Sequence, residues 1–227
     1  GAAYLDLGHL SQAEAEGSTA GVARHLGALG IDDGAAIVLY DDSPYHSAAR
    51  AWWLLRRYGV AASLLDGGLA KWRAEGRPLQ TGHGAPHDVT RHLDFDGSRI
   101  RTKVDVLANL DSQAEQVLDA RSAARFTGAE LDPRGLPTGH IPGSFNLPYA
   151  RLFAPDGSWL RGEALREAFE ASGVDLDRPI VTTCGSGVTA AVLAFGLHLL
   201  GRDAAIYDGS WTDWATDPAT PKTTVTL

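Results

Sequence analysis

The chain contains one pattern twice, and this internal repeat limits the folds that it can adopt. Residues 37–41 (Ile-Val-Leu-Tyr-Asp) correspond to 180–184 (Ile-Val-Thr-Thr-Cys), which lie 143 positions later. In both copies an apolar helical pattern follows, at 48–58 and 190–200, and then a short strand that ends in Asp-Gly. Strands alternating with helices are typical of α/β units with parallel sheets. Because repeats of this length are duplicated domains, the sequence predicts two α/β units, each a mainly parallel sheet flanked by helices.

The repeat divides the chain into a first unit at 1–80, a linker at 81–111 and a second unit at 112–227. The linker opens on a loop-like composition at 81–86 (Thr-Gly-His-Gly-Ala-Pro). The second unit begins with a predicted strand at 117–121, for which the first unit has no counterpart. We therefore expect the first unit to lack its N-terminal strand through lost residues, the alternative being a naturally short unit.

The overall composition excludes several classes of function. A net charge of −8 argues against a general nucleic-acid or anionic-membrane binder. No apolar run is long enough to cross a membrane, and the first residues lack the pattern of a signal peptide. A single cysteine cannot form an intrachain disulfide, which fits a reducing compartment. We expect a cytoplasmic monomer with no membrane or nucleic-acid partner and no metal site.

The cysteine itself, Cys184, lies between a buried strand pattern and an almost uncharged apolar helix pattern. Gly185 and Gly187 let the intervening loop curl, so that successive N–H groups can point at one centre. The positive end of the following helix adds to this field. Such a cradle favours the thiolate, the nucleophilic form of cysteine. The alternative is a buried cysteine that packs as a small apolar side chain; the strand, glycine loop and helix together favour the nucleophile.

Three other kinds of loop resemble this one in part. A tyrosine-phosphatase-like loop needs an arginine at position 190, where this chain has Ala190. A P-loop needs Lys-Ser/Thr after its last glycine, where Val188 and Thr189 stand. Residues 185–190 do fit the dinucleotide pattern G-x-G-x-x-A, and Asp208 follows at the expected spacing. One such match is weak, so a nucleotide-binding oxidoreductase stays as an alternative.

Three motifs carry a more specific resemblance. Residues 184–190 (Cys-Gly-Ser-Gly-Val-Thr-Ala), 208–214 (Asp-Gly-Ser-Trp-Thr-Asp-Trp) and 139–143 (Gly-His-Ile-Pro-Gly) resemble segments of the rhodanese-like sulfurtransferases. The first looks like the mercaptopyruvate version, because the thiosulfate version usually has Arg-Lys where this chain has Gly185 and Ser186. The resemblance implies two rhodanese-like domains and a sulfurtransferase that passes sulfur through a persulfide on Cys184. The donor would be 3-mercaptopyruvate or thiosulfate, the acceptor a thiol, thioredoxin or cyanide, and no cofactor is implied.

The resemblance also assigns residues around the cysteine. Arg125 and Arg134 fall where mercaptopyruvate sulfurtransferases hold the substrate carboxylate, a role that suits a bidentate guanidinium. Arg121 is expected to pair with Asp119 or with a neighbouring loop and to support the fold. His140 falls in a structural turn, and the two tryptophans of 208–214 are expected to lie in the core.

In the cysteine loop, Ser186 resembles the serine that assists proton transfer. Thr189 is expected to cap the following helix as well. The remaining substrate contacts are expected from the loop at Gly185, Gly187, Val188 and Thr189.

The first unit departs from the pattern of an active unit. Asp41 stands where Cys184 stands, and the residues after it, 42–45, contain an acid and no glycine. Carboxylates there would repel an anionic sulfur donor. The first unit is therefore predicted to be inactive, to pack against the second unit and to form one wall of the active-site cleft. In mercaptopyruvate sulfurtransferases the first domain supplies an acid and a histidine that assist the loop serine. The acid's position corresponds to Gly8 here. The histidine is expected within residues 12–21, which contain none, although His9 lies nearby in the sequence. This departure concerns the serine-assisted step and the choice of donor. A non-catalytic sulfur-carrier or interaction module is a further alternative.

Overall fold

The computed structural model describes residues 2–15, 19–82 and 87–224, so four residues of the loop predicted at 81–86 lie outside it. Its strands are β1 Val38–Leu39, β2 Ser63–Leu64, β3 Ile100–Arg101, β4 Gln116–Asp119, β5 Phe145–Asn146, β6 Ile180–Thr183 and β7 Ala205–Tyr207. Its helices are α1 Leu7–Ala15, α2 Thr19–Ala28, α3 Ala48–Arg56, α4 Gly68–Ala74, α5 Lys103–Ser112, α6 Ala123–Thr127, α7 Gly162–Glu170, α8 Ala190–Leu199 and α9 Ser210–Thr216, with a 3₁₀ helix at Tyr149–Leu152.

Within the described residues the strands form two parallel sheets. β1 pairs with β2 in the first unit, and the second unit has the order β3-β7-β6-β4-β5. This confirms the predicted α/β class with parallel sheets flanked by helices. The predicted linker at 81–111 includes β3 and α5, and β3 is hydrogen-bonded to β7 in the sheet of the second unit.

The three central strands of the second sheet, β4, β6 and β7, are buried on both faces, because helices cover both. Side chains alternate between the faces along a strand. Val117 and Val181 pack with α5 and α9 in one cluster, whereas Leu118, Ile180 and Ile206 pack with α7 and α8 in the other. All four residues of β6 are buried. This explains why β6 is a continuous run of β-branched residues rather than an alternating one.

The order of the strands creates a switch point in the second sheet. The chain passes from β4 to β5 on one side, whereas it passes from β6 to β7 on the other. The loops that follow β4 and β6 therefore leave the same end of adjacent strands and diverge. In open parallel sheets this crevice is where ligands bind. The arginines predicted from the sequence follow β4, and Cys184 follows β6.

The two units share one hydrophobic core. α3 of the first unit packs against α8 of the second, where the ring of Trp52 meets that of Phe195 edge-on at 4.9 Å between centroids. Both side chains are buried, and the cluster that contains them extends along the chain from Leu10 to Ile206. In the described part of the chain, no helix is long and apolar enough to cross a membrane.

Candidate active site

Cys184 lies at the carboxyl end of β6, at the centre of the second sheet. The loop that follows leads to α8, and the Gly187 N–H donates a hydrogen bond to Cys184 Sγ at 3.1 Å. Cys184 is buried. A backbone donor therefore already points at the sulfur, as the glycine loop predicts.

Gly187 is required by the shape of this loop. Its φ is +84°, a left-handed conformation that side chains rarely adopt. A Cβ at this position would lie 2.9 Å from both the carbonyl oxygen and Oδ1 of Asp208. Only glycine thus lets the loop approach the end of β7 while turning its N–H to the sulfur.

The first turn of α9 is hydrogen-bonded to the cysteine loop. The Cys184 and Gly185 carbonyls accept hydrogen bonds from the N–H groups of Trp211 and Thr212, both at 3.0 Å. In a trans peptide the N–H points opposite to the carbonyl. The N–H groups of Gly185 and Ser186 therefore point away from α9.

Ser210 is a site residue whose role the sequence did not reveal. Its Oγ accepts a hydrogen bond from the Cys184 N–H at 3.2 Å, donates one to the Tyr207 carbonyl at 2.9 Å, and lies 4.0 Å from Cys184 Sγ. It is fully buried, and its φ of +51° is unusual for a residue with a side chain. The motif at 208–214 was the available signal, but a motif does not say which atom reaches the sulfur.

Arg134 reaches from the loop after β4 to the cysteine loop. Its Nη1 donates to the Gly185 carbonyl at 2.9 Å and to Thr212 Oγ1 at 2.5 Å. Its Nε and Nη2 donate to the two carboxylate oxygens of Asp132 at 2.9 and 2.8 Å. The structure thus brings this predicted arginine directly against the residue that follows the cysteine.

Asp132 holds both predicted arginines. Arg125 Nη2 donates to Asp132 Oδ2 at 2.5 Å, beside the bidentate bonds from Arg134. The Asp132 side chain is only 3% exposed. Hydrogen bonds from Arg134, reinforced by Arg125, hold the pKa of the Asp132 carboxyl well below its usual range. In turn, Asp132 raises the pKa of Arg134.

The two arginines differ in the donors that they retain. A guanidinium has five N–H groups, and four of those on Arg134 are engaged by Asp132, Gly185 and Thr212. Arg125 instead donates one hydrogen bond to Asp132, from Nη2. Its buried Nε has no hydrogen-bond partner among the described residues. Because buried donors are usually satisfied, Arg125 is the arginine with capacity left for an anion.

The remaining loop residues are placed as follows. Ser186 is exposed, whereas Val188 and Thr189 are half-buried. The prediction that Thr189 caps the helix is wrong. Thr189 occupies the N-cap position of α8, but its side chain makes no capping hydrogen bond. A capping residue normally has extended backbone angles, and the helical φ and ψ of Thr189, −79° and −13°, do not provide them.

Several supporting predictions are confirmed. Arg121 and Asp119 form a buried ion pair with an Nη2–Oδ2 distance of 2.6 Å, and Trp211 and Trp214 are core residues. His140 Nδ1 lies 2.8 Å from the Phe126 carbonyl in the turn before β5.

The positions singled out in the first unit have local contacts. Gly8 donates its N–H to Asp6 Oδ1 at 2.8 Å, and His9 is exposed, with Nδ1 3.9 Å from Asp6 Oδ2. In the described part of the chain, no group of three or more His, Cys, Asp or Glu side chains is placed to hold a metal ion.

The fold and the site define an α/β protein with a parallel sheet and a buried cysteine in a glycine loop at the switch point of that sheet. Comparison with known proteins agrees. The rhodanese-like domain model matches residues 4–75 and 102–217. The chain belongs to the rhodanese-like domain family.

Its relatives include sulfurtransferases. The chain is 42% identical over 197 residues to human 3-mercaptopyruvate sulfurtransferase, covering 85% of this chain and 66% of the relative. It is 39% identical over 203 residues to bovine thiosulfate sulfurtransferase, covering 87% and 68%. The structure of the 3-mercaptopyruvate sulfotransferase SseA from Escherichia coli superposes with a TM-score of 0.74 at 37% identity, covering 83% of this chain and 71% of that one. The chain thus spans about two thirds of the length of these curated relatives.

Proposed function

We propose that this protein is a sulfurtransferase in which Cys184 carries the sulfur as a persulfide. The observation that carries the proposal is the hydrogen bond from the Gly187 N–H to Cys184 Sγ, in a loop that Arg134 contacts. A sulfur aligned with a backbone donor can be held as an anion, both as thiolate and as persulfide. The nearby cations suit an anionic donor.

The donor that best fits the site is 3-mercaptopyruvate, with thiosulfate as the second candidate. The carboxylate would bind Arg125 and the last free N–H of Arg134, because guanidinium groups match carboxylates in shape and charge. The loop at Gly185, Gly187, Val188 and Thr189 would surround the transferred sulfur. The exposed Ser186 would donate a hydrogen bond to the substrate carbonyl, where negative charge develops.

The reaction would proceed by two displacements on sulfur. The Cys184 thiolate attacks the sulfur of 3-mercaptopyruvate, an S–S bond forms and the C–S bond breaks. The carbon keeps the electron pair, takes up a proton and leaves as pyruvate; with thiosulfate, sulfite leaves instead. A thiolate acceptor such as a small thiol or thioredoxin, or cyanide, then attacks the outer sulfur, and Cys184 returns as the thiolate.

Intact mass measurement tests this proposal directly, because the chain has a single cysteine. After incubation with 3-mercaptopyruvate, the protein is expected to gain one sulfur atom that dithiothreitol removes. The Cys184→Ala variant is the control and is expected to gain none. The same measurement with thiosulfate decides which donor loads faster. Loading without release to any acceptor would favour a sulfur carrier, and no gain with either donor would contradict the proposal.

The first unit is proposed to be inactive and to act through its contacts with the second. A cytoplasmic location and a monomeric state remain predictions. Size-exclusion chromatography with light scattering checks the latter.

A further inference from the structure

Helix α3 of the first unit places one arginine against the active loop of the second. Arg50 Nη1 donates to Asp208 Oδ1 at 2.6 Å, an ion pair between residues 158 positions apart. The Arg50 side chain is only 10% exposed, and its guanidinium lies over the ring of Trp53, 4.8 Å from the centroid. Burying a charge costs free energy unless the charge is paired. The ion pair with Asp208 therefore offsets the cost of burying the Arg50 guanidinium.

Asp208 in turn lies against the loop that holds the sulfur. A Cβ on Gly187 would be 2.9 Å from Asp208 Oδ1 and 3.4 Å from Arg50 Nη1, so both charged groups border the space beside this glycine that a side chain would occupy. The N–H of the same glycine donates to Cys184 Sγ. Arg50, Asp208, Gly187 and the sulfur therefore form a continuous series of contacts that crosses from one unit to the other.

A carboxylate at this position is unfavourable for the chemistry unless it is neutralised. A nearby negative charge disfavours a second one, whether on the thiolate, the persulfide or the donor. We propose that Arg50 is a positioning residue supplied by the first unit, which neutralises Asp208 beside the cysteine loop and thereby favours the anionic form of Cys184. The proposal rests on the proposed role of Cys184 as the nucleophile.

The repeat provides a comparison within the molecule. Asp66 occupies the position of Asp208 in the first unit, 142 residues earlier. It is also held from the opposite unit, by Arg161 Nη2 at 3.1 Å and by the Trp159 N–H at 2.8 Å. The Arg161 and Asp66 side chains are 53% and 41% exposed, so solvent screens that pair. Of the two ion pairs that connect the units at these corresponding positions, Arg50–Asp208 beside the cysteine loop is more buried than Arg161–Asp66.

A titration of the single cysteine tests the proposal. Protein labelled with ¹³C at cysteine Cβ gives one signal, and its chemical shift follows ionisation of the sulfur with pH. Removing the neutralising charge in Arg50→Met is expected to move the midpoint upward by about one pH unit, roughly tenfold less thiolate below the midpoint. Asp208→Asn leaves the positive charge and is expected to move it downward. The double variant, with neither charge, is expected to return close to the wild-type midpoint.

Arg56→Met is the matched control. Arg56 lies on the same helix and also pairs across the units, with Asp203 Oδ1 at 2.5 Å, but it is six residues from Arg50, about 9 Å along the helix axis. Its loss is expected to leave the midpoint unchanged. If Arg50→Met does not fold, comparing Asp208→Asn with the double variant still isolates Arg50. An unshifted midpoint in Arg50→Met, or a double variant as displaced as Arg50→Met, would overturn the proposal.

This titration does not depend on sulfur transfer. If the midpoint moves as expected while no donor loads Cys184, the electrostatic role of Arg50 stands and the proposed function fails. If donors load Cys184 while the midpoint stays fixed in every variant, the proposed function stands and the role of Arg50 fails.

Discussion

The loops that follow β1 and β6 occupy the same place in the repeat, yet their donors serve different acceptors. In the second unit a loop N–H, that of Gly187, is directed at Cys184 Sγ. In the first unit Asp41 has the position of the cysteine, and its Oδ2 accepts hydrogen bonds from the Ala48 N–H and the Ser47 hydroxyl, both at 2.7 Å. The Asp41 carboxylate thus accepts the first backbone N–H of α3, which would otherwise have no partner within the helix. The same strand–loop–helix geometry therefore directs N–H donors at an internal carboxylate in the first unit and at a cysteine sulfur in the second.

The strands before these loops differ as well. Val181 of β6 is 1% exposed, whereas Val38, its counterpart in β1, is 59% exposed. β6 has a partner on both sides, β4 and β7, whereas in the described residues β1 is paired with β2. The cysteine loop therefore follows the better enclosed strand. A strand fixed on both sides positions its end more precisely, which favours catalysis there.

The largest effect is expected from replacing Cys184, and its comparison is the replacement of Asp41, which has the corresponding position in the first unit. Cys184→Ser is expected to abolish sulfur transfer, because serine forms no persulfide. Asp41→Ala is expected to keep the transfer rate per folded molecule, while losing about 0.5–2 kcal/mol of the free energy of unfolding with the α3 cap. Steady-state kinetics and urea unfolding measure the two quantities. Loss of turnover in Asp41→Ala would show that the first loop takes part in the reaction.

A smaller but still large effect is expected at the loop glycine. Gly187→Ala forces a Cβ against Asp208 and moves the N–H from the sulfur, which is expected to slow transfer by about a hundredfold. Gly201→Ala is the control, because Gly201 has a similar φ of +72° with no atom within 4 Å of a new Cβ. It is expected to change stability by about 1 kcal/mol and leave the rate unaltered. Similar rates for the two variants would contradict the donor role of Gly187.

Replacing Arg125 tests whether a residue of the second unit recognises the sulfur donor. Arg125→Met is expected to lower kcat/KM for 3-mercaptopyruvate by about ten- to a hundredfold, since a charge-assisted hydrogen bond is lost. The loss with thiosulfate, which carries no carboxylate, is expected to be smaller. Arg151→Met, at an exposed arginine of the 3₁₀ helix, is the control. An equal loss with both donors would mean that Arg125 provides charge without recognising the carboxylate.

The smallest effect concerns stability and its dependence on pH. Because the pKa of Asp132 is lowered in the folded protein, its ion pairs stabilise the fold above its ordinary value of 3.8 and lose this effect as pH falls below it. Asp132→Asn is expected to cost about 1.5–3 kcal/mol at pH 7, and progressively less below about pH 4. Urea unfolding across this range measures the difference. The control, Asp177→Asn, changes an exposed acid; a cost for Asp132→Asn that is independent of pH would show that its charge does not matter.

The local patterns in the sequence were enough to predict the strand before Cys184 and the loop after it. The β-branched run before Cys184 and the two glycines after it predicted the strand and the loop, because both depend on neighbouring residues. The repeat predicted the parallel sheets in the same way. The helix predicted at 48–58 is α3, Ala48–Arg56, and ends two residues earlier. The cap assigned to Thr189 was wrong, because the backbone angles at a helix start depend on what the loop packs against.

The sequence by itself predicted the α/β class, the duplication, a structural pairing of Arg121 with Asp119 or a neighbouring loop, and the two arginines placed after β4. The tertiary structure alone decided that Asp132 engages both arginines, that Ser210 contacts the cysteine and that Arg50 reaches Asp208 from the other unit. Those contacts depend on the order of strands in the sheet and on the packing of α3 against α8. The physical reason is that hydrophobic periodicity and turn chemistry act over a few residues. A charge pair between residues 158 positions apart exists only once the apolar side chains of the two units are buried against each other.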